Sequence, residues 1–89
     1  MIPENIVAKY ELRPADPAMS AHFPPNATVM EVRHLPGVYF MDFGINGQPL
    51  DGKSILVYSI HSHRPVTLTT EFLDNFEFNQ IEEFLHVLN

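Results

Sequence analysis

The apolar and polar positions divide the chain into short β-type segments followed by one helix-type segment. In residues 5–13, Ile6, Ala8, Tyr10 and Leu12 fall on one side at period 2, and Lys9, Glu11 and Arg13 fall on the other. That is the pattern of a half-buried strand. A helix beginning at Pro3 is the second reading of the same residues. Residues 14–27 then carry Pro14, Pro17, Pro24 and Pro25. This proline density excludes a central strand or a long helix. Asp16-Pro17 suits the cap of one short helical turn running through Ser20 and His22. The rest of the segment reads as an irregular crossing loop.

Residues 28–45 read as a hairpin turning at Pro36-Gly37, where Pro presets one dihedral and Gly accepts a positive φ. With Leu35 opposite Val38, the register sets His34 against Tyr39, Val32 against Met41 and Met30 against Phe43 on one face. Arg33 then faces Phe40, and Glu31 faces Asp42, on the other. A type II Pro-Gly turn matches two-residue hairpins poorly, so a wider loop is expected, and a symmetric widening keeps this pairing. Asn46-Gly47 and Asp51-Gly52 mark turns on either side of Pro49.

Residues 54–61 are β-branched and aromatic, with apolar positions on both faces, as a central strand requires. Residues 66–72 alternate again, and Leu73-Asp74-Asn75 closes that strand. From Asn79 the period changes. Asn79 and Glu82 match a capping box in its Asn variant. Ile81, Phe84, Leu85 and Leu88 form a helical stripe behind it, with Phe78 placed as a staple. The expected architecture is α+β: a mostly antiparallel four- to five-stranded sheet with one C-terminal α-helix packed on one face. The 89 residues suit one domain and leave no room for two.

Composition narrows the chemistry. Cysteine is absent, which removes disulfides, thiolate metal ligands and a cysteine nucleophile. The N-terminus lacks a basic and apolar leader, and no apolar run nears the roughly 20 residues of a membrane-spanning helix. A soluble cytoplasmic protein is the expectation. The five Lys and Arg are scattered against eleven Asp and Glu, giving a net charge of −6. Direct nucleic-acid binding needs clustered cations and is not expected, nor is binding to an anionic membrane. The acidity favours solubility and steering toward a basic partner surface.

The glycines have no phosphate-cradling spacing, no serine sits in a nucleophile elbow, and no Glu lies between helix-spaced histidines. These absences argue against an enzyme. His61-Ser62-His63 is the most specific remaining pattern. Two histidines at i and i+2 on a strand point to one face and suit a shared Zn²⁺, with His34, His22 or Glu71 as a third ligand. The plainer reading is a polar strand end. Glu31 and Asp42, opposed in the expected register, suit acid–base work or a cation. Their plainer reading is a solvated face, with Arg33 offsetting the repulsion.

Acid concentrates near the C-terminus, where Glu71, Asp74, Glu77, Glu82 and Glu83 interleave with Phe72, Phe76, Phe78 and Phe84. One reading is a wet helix face over a phenylalanine core. The other is an acidic-aromatic surface for a basic protein partner, since interfaces combine aromatic anchors with a charged rim. Its contact residues are Glu71, Asp74, Phe76, Glu77, Glu82 and Glu83. The proline-rich loop, carrying Met19, His22 and Phe23, is the second candidate surface.

The function expected on these grounds is a non-enzymatic binding module: an inhibitor, adaptor or assembly subunit, of a kind common among phages and mobile elements. No cofactor is expected on that reading. The alternatives are a zinc module using His61 and His63, and a self-associating subunit whose edge strand 5–13 pairs across a two-fold axis. Monomer and homodimer both stay open.

Overall fold

A computed structural model of the chain describes residues 1–44, 46–61, 65–76 and 86. Its element order is α1 (Glu4–Lys9), β1 (Arg13–Pro14), α2 (Pro17–Ser20), β2 (Val29–Glu31), β3 (Val38–Met41), β4 (Ser54–Ser59), β5 (Val66–Thr69) and α3 (Thr70–Asn75). The strands form one antiparallel meander in the order β1-β2-β3-β4-β5. The α+β class therefore holds. The helical stripe expected over 79–88 lies outside the described residues.

The first element is a helix where period 2 had indicated a strand. Ile6 and Tyr10 lie four residues apart, a spacing that a strand and a helix both place on one face. Ala8 separates the two, and it is exposed. Ile2, Ile6 and Tyr10 instead form the buried stripe of a helix. Glu4 in the first turn and Lys9 in the last complement the helix dipole. The helix ends in a Schellman pattern: the Leu12 N–H donates to the Val7 carbonyl and the Glu11 N–H to the Ala8 carbonyl. Glu11 occupies the left-handed position that glycine usually fills, at φ 49°. Its carboxylate is held there by Arg33, at 3.4 Å, and by His34. The edge strand expected over residues 5–13 is therefore not formed as such: of these residues only Arg13 belongs to a strand, the two-residue edge strand β1.

The Asp16-Pro17 cap forms as expected. Asp16 accepts from the Ala18 N–H at 2.8 Å, and Pro17 stands at the start of α2.

The β2–β3 hairpin turns at Pro36-Gly37, with the Val38 N–H donating to the Leu35 carbonyl. A second turn precedes it, in which the Leu35 N–H donates to the Val32 carbonyl. The two turns consume residues 33–37 on one side of the expected pairing, and the ladder resumes between Val32 and Val38. Its register pairs Val29 with Met41, Met30 with Phe40 and Glu31 with Tyr39. The expected opposition of Glu31 and Asp42 is therefore wrong. Glu31 reaches Arg13 across β1 at 3.8 Å. Asp42 accepts from the Thr28 N–H at 2.8 Å and meets the Met1 amino group at 3.1 Å.

β5 is shorter than its alternation suggested. The Thr69 side chain accepts from the Phe72 N–H at 3.0 Å and caps α3, so the chain turns helical from Thr70. Of the residues expected to prolong or close the strand, Leu73 alone points into the core.

The sheet buries both faces. On one, Val38, Phe40, Ile55 and Val57 pack against Ile6 and Tyr10 of α1 and Leu73 of α3. On the other, Val29, Tyr39, Met41 and Leu56 are covered by Met19, Phe23 and Ala27 of the proline-rich segment and by Leu50. That segment is a face cover. Fully burying a large apolar side chain stabilises by roughly 1.5–3 kcal/mol. A cover so poor in regular structure relies on that packing.

Candidate functional site

The α3 helix presents the acidic-aromatic surface in its simplest form. Among its residues Leu73 faces the core, whereas Glu71, Phe72, Asp74 and Asn75 are exposed. Phe76 follows, half-buried against the same core. The Phe72 and Phe76 rings lie 5.8 Å apart at 41°. Phe72 remains 39% exposed, which makes it one of the few large apolar side chains left in water among the described residues. Glu71 stands in the first turn, where the helix dipole favours an anion.

The helix is tied to α1 and to Tyr10, the residue that follows α1. The Tyr10 hydroxyl donates to the Leu73 carbonyl at 2.7 Å, and the Lys9 ammonium donates to the same carbonyl at 2.9 Å and to that of Asp74. The Asn5 amide donates to the Asp74 carboxylate at 3.2 Å. The Lys9 and Tyr10 contacts satisfy carbonyls that end a helix without intrahelical partners. Burial, and then the nearby Asp74 charge, push the Tyr10 hydroxyl up to about 12. It therefore stays protonated and donating throughout the neutral range.

Of the six residues expected at the surface, the structure gathers Glu71, Asp74 and Phe76. Glu77, Glu82 and Glu83 lie outside the described residues. Asp74 has a structural share in the site, since it also ties α3 to α1 through Asn5. Phe72 is the contributor that the residue-by-residue reading undervalued. Its alternation with Thr69 and Glu71 had placed it on a strand, and only the cap at Thr69 turns it outward.

His61 is exposed and sits in the turn beyond β4, which ends at Ser59. Its N–H donates to the Ser59 hydroxyl at 3.1 Å. The strand geometry that would point His61 and His63 to one face therefore stops short of His61, and His63 lies outside the described residues. Of the other imidazoles considered, His34 is paired to Glu11, and His22 lies on the loop after α2. Among the described residues, no group of three or more His, Asp or Glu gathers as a metal site would require. Among them also, no helix is long and apolar enough to cross a membrane.

The second candidate surface, the proline-rich loop, forms one wall of a half-open cleft of about 360 Å³ lined by Met19, His22, Phe23 and Tyr58. Comparison with family models, curated proteins and solved structures finds no match to this chain.

Proposed function

We propose that this chain is a small protein-binding module that docks a basic partner on the surface of α3, acting as an inhibitor, adaptor or assembly subunit without chemistry of its own. The observation that carries the reading is the exposure of Phe72 beside Phe76, between the carboxylates of Glu71 and Asp74. A phenylalanine that the fold leaves 39% exposed is an anchor available to another surface. The flanking carboxylates supply a charged rim, and a net charge of −6 steers a basic partner toward it. Donors from Asn5, Lys9 and Tyr10 hold the helix, which lowers the ordering cost on binding.

The test begins with gentle capture of the full chain from its host and native mass spectrometry of the captured complex. The same capture is then repeated with Phe72→Ala and Glu71→Lys. Phe72→Ala is expected to weaken the complex about tenfold or more, as truncation of an anchor does. Glu71→Lys is expected to slow association and to flatten its salt dependence. A partner retained equally by the parent and both variants, with the variants folded by circular dichroism, would show that α3 is not the interface.

A further inference from the structure

The sheet face opposite α3 carries a row of side chains that the docking surface does not use. Cross-strand pairing aligns Arg13 with Glu31, Glu31 with Tyr39, and Tyr39 with Tyr58. Tyr39 and Tyr58 are 6.4 Å apart at 30°. Phe23, from the proline-rich loop, meets Tyr58 edge-on at 6.1 Å and 69°, so two aromatic walls stand nearly at right angles. Met19 and His22 complete the cleft.

Asp16 caps α2 one helical turn before Met19, and Glu31, the next residue in the row beyond Tyr39, is paired with Arg13. Burial first, and then the charges of Glu31 and Asp16, raise the Tyr39 hydroxyl above its ordinary range. Ring faces attract cations, and a carboxylate nearby strengthens that attraction.

We propose that this cleft is a docking site for a cationic side chain, an arginine presented by a partner protein. The planar guanidinium stacks on aromatic faces, where an ammonium acts as a point charge. The apolar arginine stem lies along Met19, as such stems do on apolar surface. The cleft is half-open, which suits a side chain inserted from a neighbouring surface. The acidity of the chain supplies the charge complementarity. The site lies on the opposite sheet face from α3, so its fate does not depend on the α3 reading.

The experiment is a titration of the full chain with acetyl-Gly-Arg-Gly-amide and with its citrulline counterpart, which keeps the shape and loses the charge. It is followed by NMR of the methionine methyl and aromatic resonances at pH 8, above the ordinary imidazole range of about 6.5. Saturable shifts are expected at Met19, Phe23 and Tyr58, with arginine binding about two- to fivefold tighter than citrulline. Asp16→Asn preserves the cap, because Asn caps as well as Asp. It should bring the arginine peptide toward the citrulline value and leave the citrulline peptide unchanged. Equal affinity for the two peptides overturns the proposal, and so does an Asp16→Asn variant that binds arginine like the parent. Shifts confined to the Phe72 and Phe76 rings would also overturn it, while leaving the α3 surface in place.

Discussion

Replacing Tyr10 by Phe tests how α3 is held against the rest of the fold. The ring is fully buried and packs edge-on against Phe40 at 5.1 Å, and a phenylalanine keeps that contact. The substitution removes one hydrogen bond, from the hydroxyl to the Leu73 carbonyl. That carbonyl keeps the Lys9 ammonium at 2.9 Å, so it is not left without a donor. The loss is therefore a net hydrogen-bond contribution of about 1 kcal/mol, without the larger penalty for an orphaned polar group. In urea this moves the midpoint by about 1 M, given a slope near 1 kcal/mol/M for a small domain. The thermal midpoint should fall by about 4–8 °C.

The pH dependence adds a second signature. The folded Tyr10 hydroxyl titrates at about 12 against an unfolded value of 10.0. A group whose pKa is raised by folding contributes stability that is fully present below its unfolded value and is lost as pH rises through its folded value. The rise from 10.0 to about 12 corresponds to roughly 2–3 kcal/mol lost between pH 10 and 12 in the parent, and none of this arises in Tyr10→Phe. The advantage of the parent should be constant below pH 10, shrink above it, and reverse before pH 12. Urea unfolding followed by far-ultraviolet circular dichroism from pH 8 to 11.5 reads this directly. A variant as stable as the parent at pH 8, or a difference that stays flat with pH, would refute the anchoring of α3 through this hydroxyl.

Two further substitutions test the turns and the acid limb. Gly37 has φ 88°, and a Cβ there would lie 2.6 Å from the Ile60 side chain, whereas Gly47 has φ 80° with open space around it. Gly47→Ala should cost about 1–2 kcal/mol for the backbone alone. Gly37→Ala should cost more, because Ile60 must also move; a milder Gly37→Ala in urea unfolding would contradict this packing. Burial alone would raise the Asp42 carboxyl, but the Thr28 N–H and the Met1 amino group outweigh it and hold the group below its ordinary range. Its contribution is thus present above the unfolded value of about 3.9 and is lost as pH falls through the lower folded value. Asp42→Asn should cost on the order of 1 kcal/mol at pH 6 and flatten the acid limb of the stability curve. An unchanged acid limb would dissociate Asp42 from acid unfolding.

Local chemistry carried much of this fold. The Asp16-Pro17 cap, the turns at Pro36-Gly37, Asn46-Gly47 and Asp51-Gly52, and the doubly buried β4 each depend on residues within a few positions of one another. Side-chain caps, glycine dihedrals and β-branched runs act over that range, so the amino-acid order is sufficient to read them. The acidic residues of α3 were legible in the same way, as charge interleaved with aromatics.

The tertiary structure decided three things that local order left balanced. Residues 4–9 satisfy strand and helix periods equally at Ile6 and Tyr10, and the helix prevails because its stripe packs on Phe40 while Lys9 and Tyr10 reach the carbonyls of α3. The β2–β3 ladder slipped three residues from its expected register, because a second turn draws Leu35 down into the core, where it is 4% exposed. An odd slip exchanges the faces of one strand relative to the other, and it separated Glu31 from Asp42. Finally, Thr69 ended β5 and rotated Phe72 outward, creating the exposed aromatic on which the proposed function rests. At Ile6–Tyr10 and at Leu35, packing between residues distant in sequence selected the conformation; at Thr69 the cap itself is local, and the burial of Leu73 with Ile6 and Tyr10 retains the helix that follows.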